Sequence, residues 1–255
     1  MKIEATKKIQ IKNIEIGGSK TLICTPITPS THEDFVSDID YALSQNPDVV
    51  EWRLDYFDNL SSLDYVYNTL TSIKYKLANT IFILTLRDNK EGGKCTLSQE
   101  DKLKIIQNAL KTDTIDILDI EQIQGKDYIS SVKQMINNTN TKLILSYHNF
   151  EFTPNKEEIV QKIEKALELG ADIPKVAYMP HSSEDVLCLL DASLSCRKLL
   201  EAPIVSISMG DLGKISRVYA GQFGSDITFA SLKDSTAPGQ IKIGDLKRAD
   251  RKSVV

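Results

Sequence analysis

A lysine in the middle of an apolar segment is the first candidate for chemistry in this sequence. Lys175 lies between Ile173 and Met179, just after a helix-like run that stops at Gly170. An ammonium inside an apolar strand loses hydration, so its pKa is expected to fall from about 10.4 towards neutrality, and a neutral amine can attack a carbonyl. Lys175 is therefore a candidate Schiff-base nucleophile. The alternative is a lysine whose stem packs in the strand while its head reaches water.

Other ionisable side chains stand where strand-like segments end. Taken singly, a histidine can be structural, and an arginine beside a glutamate can be a buried ion pair. Buried charges cost several kcal/mol each unless they are paired, however, so their repeated placement at strand ends favours a polar pocket. These side chains are Glu51, Arg53, Asp55, Arg87, Glu91, Asp119, Glu121, His148 and Arg217. A loop containing Thr236 and Gln240 follows the last predicted strand.

The segments that must position these residues alternate between strand and helix patterns eight times. The predicted strands are residues 21–26, 49–54, 80–86, 115–120, 142–147, 173–178, 204–208 and 226–230. The predicted helices are residues 33–44, 62–76, 98–111, 126–137, 154–169, 183–200, 213–222 and a helix beginning near Ile241. Ser98 and Thr153 have the residue types and positions of helix N-caps, the second followed by a proline in the first helical position.

This alternation predicts the fold class. Strands that alternate with helices form a parallel sheet, and eight such units indicate a closed (β/α)8 barrel. We expect a single domain over residues 1–255, with a small hairpin at residues 1–18 ahead of the barrel. An open doubly wound sheet is the alternative, but no glycine fingerprint opens the first helix. The active site of a barrel forms at the C-terminal ends of its strands, where the polar residues collect.

The composition excludes several classes of function. The 255 residues are 41% hydrophobic and carry a formal net charge of −4, which does not suggest a nucleic-acid partner. The four cysteines form no CxxC pair, which predicts reduced thiols, no metal site and a cytoplasmic location. No apolar run approaches the roughly 18 to 20 residues of a membrane span.

Six motifs, in chain order, resemble the type I 3-dehydroquinate dehydratase family. They occupy residues 51–55, 85–87 with 91–93, 146–150, 170–175, 208–217 and 237–240. The resemblance runs from about Leu22 to Gln240. It implies dehydration of 3-dehydroquinate to 3-dehydroshikimate, the third step of the shikimate pathway, by syn elimination through a lysine imine without metal or coenzyme. It also implies a homodimer.

The resemblance implies a role for each matching residue. Lys175 matches the imine-forming lysine, His148 the general acid and base, and Glu91 the glutamate that pairs with that histidine. The residues that would bind the ring hydroxyls are Glu51, Arg53 and Arg87. The residues that would bind the substrate carboxylate are Arg217 and Gln240, and Thr236 stands where the family usually has serine.

The sequence departs from the family pattern at its end. Residues 247–255 are short and charged, whereas the family usually finishes with a longer apolar helix. We expect that the native helix is cut off near Ala249 and that residues 250–255 are the translation of a sequencing adapter; a longer read continuing through these residues to an ordinary stop codon would contradict this. Residues 220–222 also replace a Gly-Glu segment of the family, outside the predicted pocket.

Two other functions deserve comparison with the dehydratase. Another lysine-imine barrel, such as an aldolase, would not need Arg217, Gln240 and the Glu51–Arg53 pair at these spacings. A catalytically dead paralogue that senses a shikimate-like metabolite predicts loss of Lys175 or His148, and both are present. The sequence gives no basis to decide whether Asp119 and Glu121 tune the lysine or only line the barrel.

Overall fold

The computed structural model describes residues 2–233 and 236–252, and within them a hairpin precedes eight strand–helix units. The strands are β1 (Ile9–Ile11), β2 (Ile14–Ile16), β3 (Leu22–Ile27), β4 (Val49–Arg53), β5 (Ile81–Thr85), β6 (Ile117–Glu121), β7 (Lys142–Asn149), β8 (Ile173–Tyr178), β9 (Val205–Ser208), β10 (Ile227–Ser231) and β11 (Ile241–Lys242). The helices are α1 (His32–Ser44), α2 (Leu63–Ile73), α3 (Gln99–Leu110), α4 (Lys126–Ile136), α5 (Lys156–Glu168), α6 (Ser183–Leu199), α7 (Lys214–Val218) and α8 (Ile243–Lys252). The predicted hairpin and the predicted alternation are confirmed.

Strands β3 to β9 form a parallel sheet in which each strand pairs with the next one along the chain, and β10 joins this sheet by pairing with β3. The two strands at the ends of this ladder, β9 and β10, are joined by hydrogen bonds near their starts. The Asp226 amide donates to the Ile204 carbonyl at 2.8 Å, and the Ser206 amide donates to Ser225 Oγ at 3.1 Å. These bonds close the sheet, so the predicted (β/α)8 barrel is confirmed.

Alternation along each strand separates the barrel interior from the helix layer, because successive side chains point to opposite faces. In β8, Ile173 and Ala177 pack with the barrel interior, while Val176 and Tyr178 pack against α5 and α6. Lys175 shares the inward face with Ile173 and Ala177. The alternation therefore aims the lysine into the barrel.

The hairpin covers the N-terminal end of the barrel. Ile11 and Ile16 are buried in one apolar cluster with Leu22 and other residues near the strand starts. At the hairpin turn, Lys12 Nζ donates to the carbonyls of Leu77 and Thr80, both at 2.8 Å. This end is therefore sealed by apolar side chains, and the polar interior lies at the opposite end.

A buried group of three charges holds the start of β10. Asp226 accepts hydrogen bonds from the Arg197 guanidinium and, at 2.8 Å, from the Ile204 amide. Lys2 Nζ lies 2.8 Å from the other carboxylate oxygen and also donates to the Gly18 carbonyl at 2.7 Å. We call Lys2, Arg197 and Asp226 the seam cluster.

One of the two predicted N-caps is confirmed and the other is wrong. Ser98 Oγ accepts from the Asp101 amide at 3.2 Å at the start of α3. Helix α5 instead begins at Lys156, and its cap is Asn155, whose side chain accepts from the Glu158 amide at 2.9 Å. Thr153 lies two residues before that cap, and its hydroxyl donates to the Met179 carbonyl at 3.0 Å.

The last helix has two turns of described side chains. Ile243 and Leu246 are buried against Ile23 and Ala230, so α8 packs on the outer face of β10 and β3. Its backbone continues to Lys252, whereas residues 253–255 lie outside the described residues. The expectation that residues 250–255 are artefactual therefore remains a prediction. Among the residues described, no helix is both long and apolar enough to cross a membrane.

Candidate active site

One cavity at the C-terminal end of the strands collects the nine residues to which the family resemblance assigns a role. Its lining includes Glu51, Arg53, Arg87, Glu91, His148, Lys175, Arg217, Thr236 and Gln240. The cavity volume is about 210 Å³. Sites for drug-sized ligands usually occupy roughly 300 to 1,000 Å³. A smaller, strongly charged cavity suits a small polar metabolite.

Lys175 reaches the floor of this cavity from β8. The residue is only 4% exposed, so its head does not reach bulk water. The sequence suggested apolar surroundings for this lysine, but the structure shows a charged partner as well. Nζ lies 2.8 Å from Asp119 Oδ2 on β6 and 4.4 Å from the centre of the Phe229 ring. An opposite charge and an aromatic face both attract an ammonium. The amine is thus held in one position at the base of the pocket.

Asp119 joins the lysine to a second buried cation. Arg87 NH2 lies 3.0 Å from the same Asp119 oxygen, and its NH1 donates to Glu121 Oε1 at 2.8 Å and to Ser146 Oγ at 2.6 Å. Burial opposes ionisation of Asp119, but Arg87 and Lys175 outweigh it and hold the pKa of Asp119 below its usual value. Burial likewise opposes the charge on Arg87, yet Asp119 and Glu121 raise the pKa of Arg87. This answers the question that the sequence left open: Asp119 contacts the lysine, and Glu121 contacts the arginine.

His148 stands beside Lys175 on the neighbouring strand and is held by Glu91. Glu91 Oε2 lies 2.8 Å from His148 Nδ1 and accepts the His148 backbone amide at 3.0 Å. Burial and the positive charges of Arg87 and Lys175 hold the pKa of His148 well below its usual 6.5. The imidazole is therefore neutral at pH 7. Assigning the Nδ1 proton to the bond with Glu91 leaves Nε2 able to accept a proton.

Glu91 is an unusual carboxyl group. Burial is the main reason that its pKa is raised, to about 8, although Arg87 acts in the opposite direction. Its second oxygen, Oε1, is buried and has no hydrogen-bond partner among the described residues. Such an oxygen can take up a proton or bind a ligand hydroxyl.

Two further residues are fixed at the wall formed by β4 and β5. Arg53 makes a double hydrogen bond to Asp55, with Nε to Oδ1 at 2.9 Å and NH2 to Oδ2 at 2.8 Å. Glu51 Oε1 accepts from the Thr85 hydroxyl at 2.7 Å. Their remaining donors and acceptors can bind hydroxyl groups in the cavity.

Arg217 differs from the other cations because no carboxylate accompanies it among the described residues. Its guanidinium donates only to backbone carbonyls, those of Phe229 at 3.3 Å and Pro238 at 2.9 Å, and its Nε is buried with no partner there. Burial lowers the pKa of Arg217 to about 10, which leaves it charged at pH 7. A buried, unpaired guanidinium is a ready binding site for a carboxylate.

The loop after β10 closes the cavity beside Arg217. The Thr236 amide donates to Gln240 Oε1 at 2.9 Å, and Gln240 Nε2 donates to the Thr236 hydroxyl at 3.0 Å. Gly239 has φ near 74°, and a Cβ there would come within 2.0 Å of the Gly210 carbonyl oxygen. Glycine at this position therefore lets the loop approach β9 closely.

Sequence analysis missed the apolar wall of the site. Phe150, Ile207, Met209 and Phe229 line the cavity among the charges. The Phe150 ring stacks beside His148, with centroids 6.4 Å apart, and a Cβ on Gly92 would come within 2.5 Å of that ring. Strand alternation could have found Ile207 and Phe229, because both face inward on their strands. Among the residues described, no group of three or more His, Cys, Asp or Glu side chains is arranged to hold a metal ion.

Comparison with known proteins gives one consistent result. The family model described as Type I 3-dehydroquinase matches residues 23–251. The chain is 38% identical over 240 residues to the 3-dehydroquinate dehydratase of Geobacillus thermodenitrificans (strain NG80-2), covering 94% of this chain and 93% of that protein. It is 33% identical over 240 residues to the 3-dehydroquinate dehydratase of Bacillus subtilis (strain 168), covering 94% of each.

Solved structures agree with the sequence comparison. The crystal structure of 3-dehydroquinate dehydratase from Geobacillus kaustophilus HTA426 has a TM-score of 0.95 at 34% identity, covering 99% of this chain and 98% of that one. The type I enzyme from Clostridium difficile, solved with covalently modified comenic acid, has a TM-score of 0.93 at 33% identity, covering 97% and 98% respectively.

Proposed function

The chain belongs to the type I 3-dehydroquinase family, and we propose that Lys175, His148 and Glu91 perform its reaction. The enzyme is a hydro-lyase that dehydrates 3-dehydroquinate to 3-dehydroshikimate in the shikimate pathway. The observation that best supports the assignment of residues is the cavity itself. One buried amine, one neutral imidazole and one guanidinium with no carboxylate partner among the described residues face the same space.

Lys175 forms a covalent imine with the substrate ketone. After losing a proton, the amine attacks the carbonyl carbon, and loss of water from the resulting carbinolamine gives a protonated imine. This cation draws electrons from the adjacent C–H bond and makes that proton removable. Asp119, 2.8 Å from Nζ, stabilises the positive charge both on the ammonium and on the imine that replaces it.

His148 moves the protons of the elimination. Its neutral imidazole takes the proton from the carbon next to the imine, which leaves an enamine. The imidazolium then gives a proton to the departing hydroxyl on the same face, so that water leaves and a conjugated imine remains. Glu91 orients the ring through the hydrogen bond that its Oε2 accepts from Nδ1 in both steps. Hydrolysis of the imine releases the product and the free lysine.

The remaining residues hold the substrate in register. Arg217 binds the carboxylate, with Gln240 and Thr236 from the loop completing that end of the site. Glu51, Arg53 and Arg87 bind ring hydroxyls at the other end. The separation between these groups fixes which ring carbon meets Lys175, and such positioning is a large part of catalysis.

The product provides a direct test. Dehydration creates a double bond conjugated with the ketone, so turnover raises ultraviolet absorbance. Wild-type protein is expected to produce this signal from 3-dehydroquinate, whereas folded Lys175→Met protein is not. Wild-type turnover in the Lys175→Met variant would contradict the assignment of the nucleophile.

We further propose that residues 1–255 form one domain, that the enzyme is a homodimer and that it works in the cytoplasm. Burial of the hairpin residues Ile11 and Ile16 in the barrel base supports the single domain. The homodimer rests on the family resemblance. Light scattering coupled to size-exclusion chromatography tests it, and a mass equal to the 28.5 kDa monomer at working concentrations would contradict it.

A further inference from the structure

Helix α3 carries a buried lysine that the reaction described above does not use. The Lys102 side chain is 3% exposed, and its ammonium contacts Oδ2 of Asp88, which begins the turn that carries Glu91. Lys104, two residues later on the same helix, is 54% exposed and pairs with Glu100 on the surface. A solvated lysine contributes to solubility at little energetic cost, whereas burying a lysine costs several kcal/mol unless the ammonium is paired with an opposite charge. Lys102 therefore needs an explanation that Lys104 does not.

Its partner, Asp88, begins the turn that carries Glu91. Asp88 Oδ1 accepts from the Lys90 amide at 2.9 Å, and the Asp88 carbonyl accepts from the amides of Glu91 at 3.1 Å and Gly93 at 3.0 Å. The turn is thus built on both the side chain and the backbone of Asp88. Whatever fixes Asp88 also fixes the position of the Glu91 backbone.

Asp88 is held from two directions. Gln124 Nε2 donates to Asp88 Oδ2 and to Glu121 Oε2, both at 3.1 Å, and the Asp88 amide donates to Glu121 Oε1 at 3.2 Å. These bonds tie Asp88 to the end of β6, while Lys102 ties it to α3. Burial opposes ionisation of Asp88, but the hydrogen bonds from Lys102, the Lys90 amide and Gln124 together outweigh it, and the pKa of Asp88 lies below its usual value.

We propose that Lys102 is a positioning residue for the dehydration, acting through Asp88 to hold Glu91 against His148. The contact that it protects is the 2.8 Å approach of Glu91 Oε2 to His148 Nδ1. Loss of Lys102 removes the tie between Asp88 and α3 and leaves the tie to Gln124. The turn can then shift and misalign the imidazole without altering any group that contacts the substrate. This inference rests on the proposed role of Glu91.

The first test compares Lys102→Met with Lys104→Met. Misplacement of a catalytic group by about 1 Å can cost up to about 10²-fold, so kcat of the Lys102→Met variant is expected to fall about 10- to 100-fold. KM should stay within about twofold, because the groups that bind the substrate are unchanged. Lys104→Met should match wild type in both constants, and Lys102→Arg should recover part of the lost kcat. An unchanged kcat in Lys102→Met would overturn the inference.

A double-mutant cycle separates positioning from a purely structural role. Glu91→Gln removes the carboxyl group that Lys102 is proposed to position, so a shift of residue 91 should not lower kcat further. The double variant Glu91→Gln/Lys102→Met should therefore have the same kcat as Glu91→Gln alone. Full multiplication of the two effects would overturn the inference. If Glu91→Gln alone has wild-type kcat, the proposed role of Glu91 is wrong, and the inference about Lys102 is wrong with it. If Lys102→Met does not fold, Asp88→Asn breaks the same ion pair and is judged by the same outcomes.

Discussion

The barrel buries two clusters of charged side chains, one at each end, and they differ in what they leave unpaired. In the seam cluster, Lys2 and Arg197 flank Asp226, and each cation also donates to backbone carbonyls. In the active site, Arg217 has no carboxylate among the described residues, and Glu91 keeps one oxygen without a partner. Burying a charge is costly in both places. Pairing offsets this cost in the seam cluster and also for Lys175, Asp119 and Arg87, whereas Arg217 and the Oε1 oxygen of Glu91 find no such partner among the described residues.

The difference shows how buried charge can serve stability or chemistry in one fold. At the N-terminal end the charges substitute for the missing ladder between β9 and β10. At the C-terminal end they form a site that a carboxylate and several hydroxyls would complete. Residues of the seam cluster should therefore affect unfolding and not turnover, and residues of the active site should do the reverse.

The largest expected effect is on turnover, in His148→Ala. Loss of the group that moves both protons should lower kcat about 10²- to 10⁴-fold, while thermal unfolding stays near that of wild type. His181, an exposed histidine, gives the matched control, and His181→Ala should keep full kcat. A stable His148→Ala protein with kcat close to wild type would place the acid and base elsewhere.

The next effect is on stability, in Asp226→Asn. This change leaves Lys2 and Arg197 buried without their counter-charge, which typically costs about 3 to 5 kcal/mol. Urea unfolding should show this loss, and kcat measured on the folded protein should be unchanged. Asp211→Asn removes only an exposed partner of Lys214 and should have no measurable effect on unfolding. A loss of kcat in stable Asp226→Asn protein would remove the distinction between the two clusters.

Arg217→Met probes the unpaired cation. Hydrogen bonds to charged groups contribute about 1.5 to 3 kcal/mol, so KM should rise about 10- to 100-fold. Because the variant removes a buried charge that has no counter-charge in the part of the chain that the structure describes, its unfolding free energy should equal or exceed that of wild type. Lys214→Met, at an exposed position on the same helix, is the control. A destabilised Arg217→Met protein with normal KM would make Arg217 structural.

A further expected effect is a pH dependence of stability from Glu91. Its native pKa of about 8 lies above the usual 4.5, so the folded state binds this proton more tightly than the unfolded state. The resulting stabilisation is complete below pH 4.5 and is lost as the pH rises through 8. Glu91→Gln cannot ionise. The unfolding free energy of wild type minus that of the variant should therefore fall from about pH 5 to about pH 8 and then level off. Parallel pH profiles for the two proteins would contradict the raised pKa.

Much of this account was accessible from the sequence because the barrel has a regular pattern. Arg87 and His148 follow strand-like segments, Lys175 lies within the segment after that of His148, and parallel strands bring their C-terminal ends to one rim. The N-cap at Ser98 followed from residue type and spacing alone. These features depend on local patterns, which single sequences record well.

The features that sequence reasoning missed depend on contacts between distant segments. Thr153 has the residue type of a cap, but the helix begins at Lys156 with Asn155 as its cap, and the Thr153 hydroxyl donates to the distant Met179 carbonyl. In the sequence Lys102 looks like any solvent-exposed helix lysine, and only the folded chain shows that it is buried against Asp88. The partnership of Asp119 with Lys175 requires strands that are not adjacent to face each other across the barrel. No periodicity records such pairings, because side-chain direction and barrel curvature decide them.

The most direct test of the central claim is to trap the imine. Protein incubated with 3-dehydroquinate and borohydride should gain one covalent adduct in intact-protein mass spectrometry, and peptide mapping should place it on Lys175. Folded Lys175→Met protein should gain none, while His148→Ala should still form the imine even if slowly. An adduct on another lysine, or no adduct on folded and active wild-type protein, would contradict the assignment of Lys175 as the nucleophile.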